Sequence, residues 1–577
     1  MKIHLGGNIL KPTKRKRRYE LQNLKYLTSN FKSITSNKYI SLKPITIFCG
    51  VNSIGKSSIL QSKLLISQSL SSRLIPFRDE SAKYPQIFIF EGNKCHLQNY
   101  KNIIFENNIE NKLKFSWVYN LINRNVQVDL QCKYIEDNKL FTGGFPVVEK
   151  FIIRTEEKGQ KNCLEANIIE DDYRLYNVSL MNFEEEILAD IFRNNYMLSF
   201  KRLRKELDDY PVVSYIRDND KLINKMAKIG ASKKVLRNLN NITNAAFTFS
   251  SIIPRFAKMQ ESEIQKHIEL DELYQLLLLK KKDINEKLIK HLIKRNLHSF
   301  EDIIQTFLNT NLEPLLRYYY DLLYLGPLRE EPKRFYLFSD LNLLDIGLKG
   351  ENTTQVLILT QNSQIDFVKL EKINGEFRFS KKEKKSLLNS LNEWLGIMNL
   401  QKIRPLQTMD IISKLMIKYS DNQPKESSVA IPDVGFGLSQ VLPVLVEVLR
   451  MESEKSIILE QPEIHLHPRM QGDLADFILC NAQLKKNFII ETHSEHFIKR
   501  LCLRIAQFKD INLSKLISIY FIVPNNDKKG ADIVDVQIDE FGKIKNWPIG
   551  FFDGNEDQQI FEESLKKRDY KKRNGIN

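Results

Sequence analysis

Nowhere in the 577 residues do about 18 apolar side chains follow one another, the length that a membrane-spanning helix needs. The first twenty residues, MKIHLGGNILKPTKRKRRYE, also lack the apolar stretch of a secretory signal, so a cytoplasmic protein without membrane contact is expected. Six cysteines (Cys49, Cys95, Cys132, Cys163, Cys480, Cys502) are scattered, with no C-x-x-C pair and no histidine at zinc-finger spacing. That pattern excludes a disulfide framework and points to reduced thiols. There is no internal repeat, and no apolar heptad is sustained long enough for a coiled coil.

What is present is a chain with 42% apolar residues, enough for two or three structural units. Lys and Arg number 87 against 71 Asp and Glu, a net charge of +16. This suits a polyanion such as nucleic acid, and it equally suits a composition rich in Ile, Asn and Lys throughout. The densest basic clusters are Lys14 to Arg18 and Lys566 to Arg573.

Periodicity gives the organisation. Tyr39 to Cys49 reads as two short strand pieces around Pro44, and a helix follows over Ser57 to Leu70 with Ile59, Leu60, Leu64 and Leu65 on its buried side. Short β-like runs (QIFIFEG, KLKFSWVY, VQVDLQCKYI) occupy residues 84 to 178. Residues 183 to 323 read as helical, with Leu288 and Leu292 on one face and Leu276 to Leu279 as a buried run. After Glu454 come SIILE, a helix from Pro468, NFIIET and LISIYFIV. Strands alternating with helices predict an α/β fold with a parallel or mixed sheet. The expected divisions are residues 1–80, with the glycine-bearing loop, 81–180, β-rich, 181–320, a helical insertion, 321–525, the second half of the head, and 526–577, a small tail.

Gly50 to Ser57 fits G-x-x-x-x-G-K-[ST], after a predicted strand and before a predicted helix. In that context the inward N–H groups and the helix start favour a triphosphate. Gly50, Asn52, Ser53, Gly55, Lys56, Ser57 and Ser58 are the expected cradle for ATP, Lys56 meeting the β- and γ-phosphates and the Ser57 hydroxyl meeting Mg2+. An ordinary glycine-rich turn would not need both flanks.

The strand Ser456 to Glu460 ends in a carboxylate suited to magnesium opposite Ser57, followed by Gln461 and Glu463. His465-Leu466-His467 beside Glu463 would be a metal site only with a third ligand, and Pro468 suits a first helical position. His493, after the strand Asn487 to Thr492, is placed to reach a γ-phosphate; the bland reading is that Thr492 or Ser494 caps the next helix and His493 is exposed. Gly435, Gly437 and Ser439 form a turn before an apolar helix over Val441 to Leu449, a weak anion-receptive signal by itself.

With these motifs the chain resembles the ABC/SMC-like ATPase heads of bacterial overcoming-lysogenisation-defect nucleases, Septu-type defence ATPases and related AAA-type proteins. The strings that carry the resemblance are Tyr324 to Arg329 (YLGPLR), Gly435 to Gln440 (GFGLSQ), Glu460 to Pro468 (EQPEIHLHP) and Trp547 to Phe552 (WPIGFF). The resemblance implies an ABC-like head that pairs head to tail as a homodimer or higher oligomer, with Gly437 and Ser439 of one copy facing ATP on the other. It also implies a basic residue near the nucleotide, for which Lys32 stands, and a magnesium-sensing glutamine, for which Gln98 is the candidate. Where such heads carry a catalytic glutamate after the magnesium carboxylate, this chain has Gln461, so hydrolysis is expected to be slow or to rely on Glu463; Glu460, Gln461, Glu463 and His493 make up the expected catalytic set. The function implied is an ATP-dependent switch on a partner effector in phage defence, with nucleic-acid contact and an HNH-type nuclease favoured as partner by analogy. The alternatives are a nuclease in its own right and an SMC-like DNA-repair ATPase.

Overall fold

The computed structural model describes residues 21–50, 54–71, 87–122, 124–136, 144–169, 172–181, 221, 224, 242–250, 253–258, 304–337, 344–409, 412–418, 429–430, 436–508, 511–525 and 530–546. The chain divides into two compact units, Met1–Phe31 with Lys63–Tyr320, and Lys32–Ser62 with Asp321–Asn577.

The second unit is built on a six-stranded sheet. Its strands are β1 (Ile45–Gly50), β2 (Leu323–Leu325), β3 (Ser456–Glu460), β4 (Asn487–Glu491), β5 (Ile517–Asn525) and β6 (Gly530–Val536), in the order β2-β3-β4-β1-β5-β6. All neighbours are parallel except β5 and β6. Strands in the middle of a parallel sheet are covered on both faces, so they read as unbroken apolar runs. Every residue of β1 and β3 is buried, as the strings ITIFCG and SIILE require. This is the α/β head expected from the sequence.

Helices α1 (Lys56–Ser71), α2 (Phe436–Arg450), α3 (Pro468–Gln483) and α4 (Glu495–Gln507) follow strands or motifs. His467 caps α3 with Pro468 at its first turn, and the Ser494 hydroxyl accepts from Phe497 N at 2.9 Å to cap α4. Arg500 and Arg504 of α4 bind Asp476 of α3, which joins the two helices edge to edge. Helix α2 starts at Phe436, earlier than the expected Val441, so Gly437 and Ser439 lie in its first turn and not in a preceding loop. Pro443 interrupts its ladder, and Gly350 (φ 75°) packs against that ring where a Cβ would lie 2.5 Å from Pro443 Cβ.

The first unit holds eight antiparallel strands in the order 253–258, 242–250, 172–181, 160–169, 145–157, 124–135, 113–121 and 22–29. Period-2 alternation is plain in Leu113, Phe115, Trp117 and Tyr119, all buried. The run QIFIFEG does not form its expected strand: its described part, from Ile87, is irregular. Gln68 takes its polar backbone instead, donating to Ile89 O and Cys95 O and accepting from the N–H groups of Lys94 and Cys95. Of the expected helical stretch, 304–320 is a helix and 242–258 contributes strands, while Leu276 to Leu292 and Trp547 to Phe552 lie outside the described residues.

Helix α1 is buried throughout from Ser62 to Leu70, including Ser62, Ser67 and Ser69; Ser62 and Ser69 donate back to Ile59 O and Leu65 O, which satisfies them locally. Lys63 is fully buried, with no carboxylate beside it among the described residues. Its ammonium lies 4.1 Å from the Tyr26 ring centre and 5.3 Å from those of Tyr318 and Tyr319, and burial pulls its pKa down to about 7.

Candidate nucleotide site

The site lies at the C-terminal ends of β1, β3 and β4, within the second unit. Strand β1 delivers Gly50 with φ 140°, where a Cβ would lie 2.5 Å from the Ile522 carbonyl oxygen. Gly55 has φ 129°, and a Cβ there would collide with the Ser33 hydroxyl. Both positions therefore require glycine, for backbone angle and for space. Lys56 opens α1, is buried, and donates from Nζ to the Gly50 carbonyl at 3.0 Å. Burial lowers its pKa, against the opposing pull of Glu491. Ser58 N–H closes the turn onto Gly55 O at 3.1 Å. Lys32, in a left-handed turn at φ 50°, donates to Gln61 Oε1 at 2.6 Å and so leans on the first part of α1. Asn52 and Ser53 lie outside the described residues.

The Ser57 hydroxyl does not meet Glu460 here. It donates to Glu491, 3.1 and 3.0 Å from the two carboxylate oxygens. The reason is topological: β4 lies between β3 and β1, so the last residue of β4 is the carboxylate nearest α1, and Glu460 stands one strand further out as the register partner of Glu491. Burial and then the neighbouring Glu491 push the Glu460 pKa up to about 7, while a 3.0 Å hydrogen bond from Tyr324 and the charge of Arg329 act the other way. Glu491 is raised as well, by burial first, with Ser57 and Lys56 opposing.

Gln461 sits in left-handed backbone at φ 43°, its N–H bonded to Glu491 O at 2.8 Å. Glu463 faces the switch segment: Oε1 accepts from Thr492 Oγ1 at 2.7 Å and from His493 N at 2.9 Å. It is buried, and burial raises its pKa; its Oε2 has no hydrogen-bond partner among the described residues. His493 is half-buried, and burial followed by the charge of Lys56 lowers its pKa, so the neutral imidazole is favoured. Ser494 caps α4, while His493 is half-buried and not exposed, with the charge of Lys56 acting on it.

Glu491 was not singled out from the sequence, and Tyr324 and Arg329 were named there only as the ends of the string YLGPLR, with no role. Arg329 is buried, with Nη2 3.4 Å from Glu460 O, and Nε and Nη1 without partners among the described residues. The signal for Glu491 was legible, since NFIIE ends in a carboxylate as SIILE does and two parallel strands in register set such ends side by side.

Other expected residues lie apart from this cluster. Ser439 lines a small depression with Glu330, Glu351, Thr353, Thr354 and Pro443, in which no described residue of the phosphate loop takes part. A Cβ on Gly437, in the same helix turn, would lie 3.6 Å from His465 O, an ordinary contact. Gln98 belongs to the first unit. There it sits at φ 64° with its N–H on Glu91 and its Oε1 accepting from Asn102, the bonding of a turn residue. The His465-x-His467 pair finds no third ligand among the described residues, and His467 serves as the α3 cap.

A phosphate cradle, a buried lysine and strand-end carboxylates define a P-loop ATPase head. The chain belongs to the AAA ATPase domain family, which matches residues 27–498. Residues 514–559 match a family described as a protein of unknown function (DUF3696). No curated protein matches the chain. Among solved structures it is similar to the Smc head domain with an extended coiled coil bound to the C-terminal domain of ScpA from Pyrococcus furiosus, at 10% identity over 95% of this chain and 99% of that one, TM-score 0.30. It is also similar to the SMC head domain from Thermotoga maritima, at 10% identity over 90% and 100%, TM-score 0.29. These superpositions are loose, and family membership rests on the match over residues 27–498. No helix among the described residues is long and apolar enough to cross a membrane.

Proposed function

We propose that the chain binds ATP with magnesium at Gly50 to Ser58 and hydrolyses it slowly, as a switch that controls a partner effector. The observation that carries this reading is the convergence of Lys56, Ser57, Glu491 and Glu460 at adjoining strand ends. The donor set is a hydroxyl and a strand-end carboxylate, both hard oxygen, which fits magnesium. Ser57 and Glu460 would hold the ion, with Glu491 bonded to Ser57 from behind, and the ion would supply charge neutralisation for the phosphates.

Slow turnover follows from the groups beside the cradle. Gln461 cannot accept a proton, and Glu463, with Oε1 taken by Thr492 and His493, offers only its Oε2 as a base from a position two residues past it. A head that holds ATP longer than it cleaves it suits a clamp or sensor. Because Ser439 lines a depression away from the cradle, its use with ATP calls for a second copy, and we take the active form to be a head-to-tail homodimer.

The effector is taken to be a nuclease, HNH-type by analogy with Septu-type ATPases, in anti-phage defence with nucleic-acid contact; the net charge of +16 supports the last element. The test is purification with neighbouring genes co-expressed, followed by mass spectrometry, and assay of the isolated chain on plasmid, single-stranded DNA and tRNA. A co-purifying nuclease, and nucleic-acid binding that falls steeply with salt, is the expected result. Robust cleavage by the isolated chain, lost on mutating its own residues, would overturn it.

A further inference from the structure

Glu491, the register partner of Glu460, is the acid in direct contact with Ser57. A serine hydroxyl has one hydrogen to give and two lone pairs to offer. Here the hydrogen is directed at both oxygens of Glu491, at 3.1 and 3.0 Å, and the lone pairs are thereby turned away from that carboxylate. Resting on the reading that this loop holds ATP with magnesium, we propose that Glu491 is the positioning residue of the metal site, acting through Ser57 by fixing the direction of its oxygen.

Three features support the assignment. Glu491 is held on both sides by backbone bonds, since Gln461 N–H donates to its carbonyl at 2.8 Å and Thr492 N–H, next in sequence, donates to Phe48 O at 3.1 Å. Its carboxylate therefore has a fixed origin from which to orient a partner. Glu460 is occupied otherwise, accepting from Tyr324 at 3.0 Å and lying one strand away from α1. Finally, Lys56 lies close enough for its charge to act on Glu491, so the acid is tied to both side chains that the loop aims at the nucleotide.

The division of labour is a metal-facing hydroxyl with a carboxylate behind it. Groups behind a metal ligand commonly set affinity by about 10- to 100-fold when removed. The experiment is calorimetric titration of ATP, in magnesium and separately in EDTA, into the full chain carrying Glu491→Ala, Glu491→Gln, Ser57→Ala or Ser57→Ala with Glu491→Ala. Expected is a loss of about tenfold or more for Glu491→Ala, confined to the magnesium series. Glu491→Gln, whose amide oxygen still accepts from Ser57, should keep most of the affinity, and the double variant should be no weaker than Ser57→Ala alone. Equal losses in magnesium and EDTA, an unchanged magnesium series for Glu491→Ala, or additive losses in the double variant would each overturn the inference. Failure of the unaltered chain to bind ATP in either medium would sink the nucleotide reading itself.

Discussion

Replacing Lys63 by methionine should make the protein more stable near neutral pH, although it removes a charged side chain from the middle of a helix. Methionine keeps the unbranched shape and the helix propensity, so packing changes little. The charge changes a great deal. Among the described residues Lys63 faces the rings of Tyr26, Tyr318 and Tyr319, with the Tyr319 hydroxyl at 3.5 Å and no acid, and burial brings its pKa to about 7. An unfolded lysine titrates near 10.4, so between about pH 7 and pH 10.4 the unfolded chain binds the extra proton. Stability from this residue therefore rises with pH across that window, and the full penalty is present below it. At pH 7 the penalty is on the order of 4 kcal/mol. Attraction of a desolvated ammonium to aromatic faces offsets about 2 kcal/mol of that, which leaves burial the winner. Lys63→Met should thus raise Tm by about two degrees at pH 7, with the gap to the unaltered chain narrowing steadily as pH rises towards 10 in scanning calorimetry. A variant that is less stable at pH 7, or a gap that stays constant with pH, would refute the reasoning.

Lys56→Ala removes the buried cation beside Gly50 and should abolish ATP binding while the chain stays folded; equal affinity by calorimetry would count against the cradle. Gln461→Glu should speed turnover, by up to about 100-fold if a missing base is the limit. Glu463→Ala should lower turnover and cost about 1–3 kcal/mol of stability by leaving Thr492 and His493 N–H unpaired; unchanged rates in both variants would mean that neither position acts on the water. Ser439→Arg should weaken ATP-dependent pairing in light scattering, and unchanged pairing together with unchanged ATPase activity would exclude a composite site.

Much of the nucleotide head could be read from the sequence because its strands carry their burial in their composition. ITIFCG, SIILE and NFIIE are apolar enough to demand cover on both faces, and each ends where the glycine loop or an acid begins. Strand order was not legible, because nothing in three similar apolar runs says which lies in the middle. That is why the contact of Ser57 with Glu491, on the strand between β3 and β1, was not legible beside the expected Glu460. QIFIFEG misled for a related reason: its alternation satisfies a strand, but the carbonyl of Ile89 and the backbone around Cys95 found the Gln68 amide, a partner that periodicity does not see. The start of α2 was placed too late because its two glycines, residues 435 and 437, suggested a loop, whereas Gly437 lies where a helix turn meets the His465 carbonyl.

The strand order also decides what a change at the phosphate loop can reach. Ser57 is bound to the side chain of Glu491, and the carbonyl of the same residue holds the N–H of Gln461, the position where a catalytic base would stand. Two residues further on, Glu463 returns the connection to Thr492 and His493. A displacement of Ser57 is thus felt at both ends of the turn that follows β3. Unpaired polar groups lie in and beside that turn: Glu463 Oε2 within it, and the Nε and Nη1 groups of Arg329, whose Nη2 reaches Glu460 O, are buried without partners among the described residues. Each such group costs about 1–3 kcal/mol, more where it is charged, so the region between Arg329 and Glu463 is less stable than its surroundings. A ligand that alters Glu491 therefore acts on the part of the head that gains most from rearranging, and a nucleotide-driven switch would move there first.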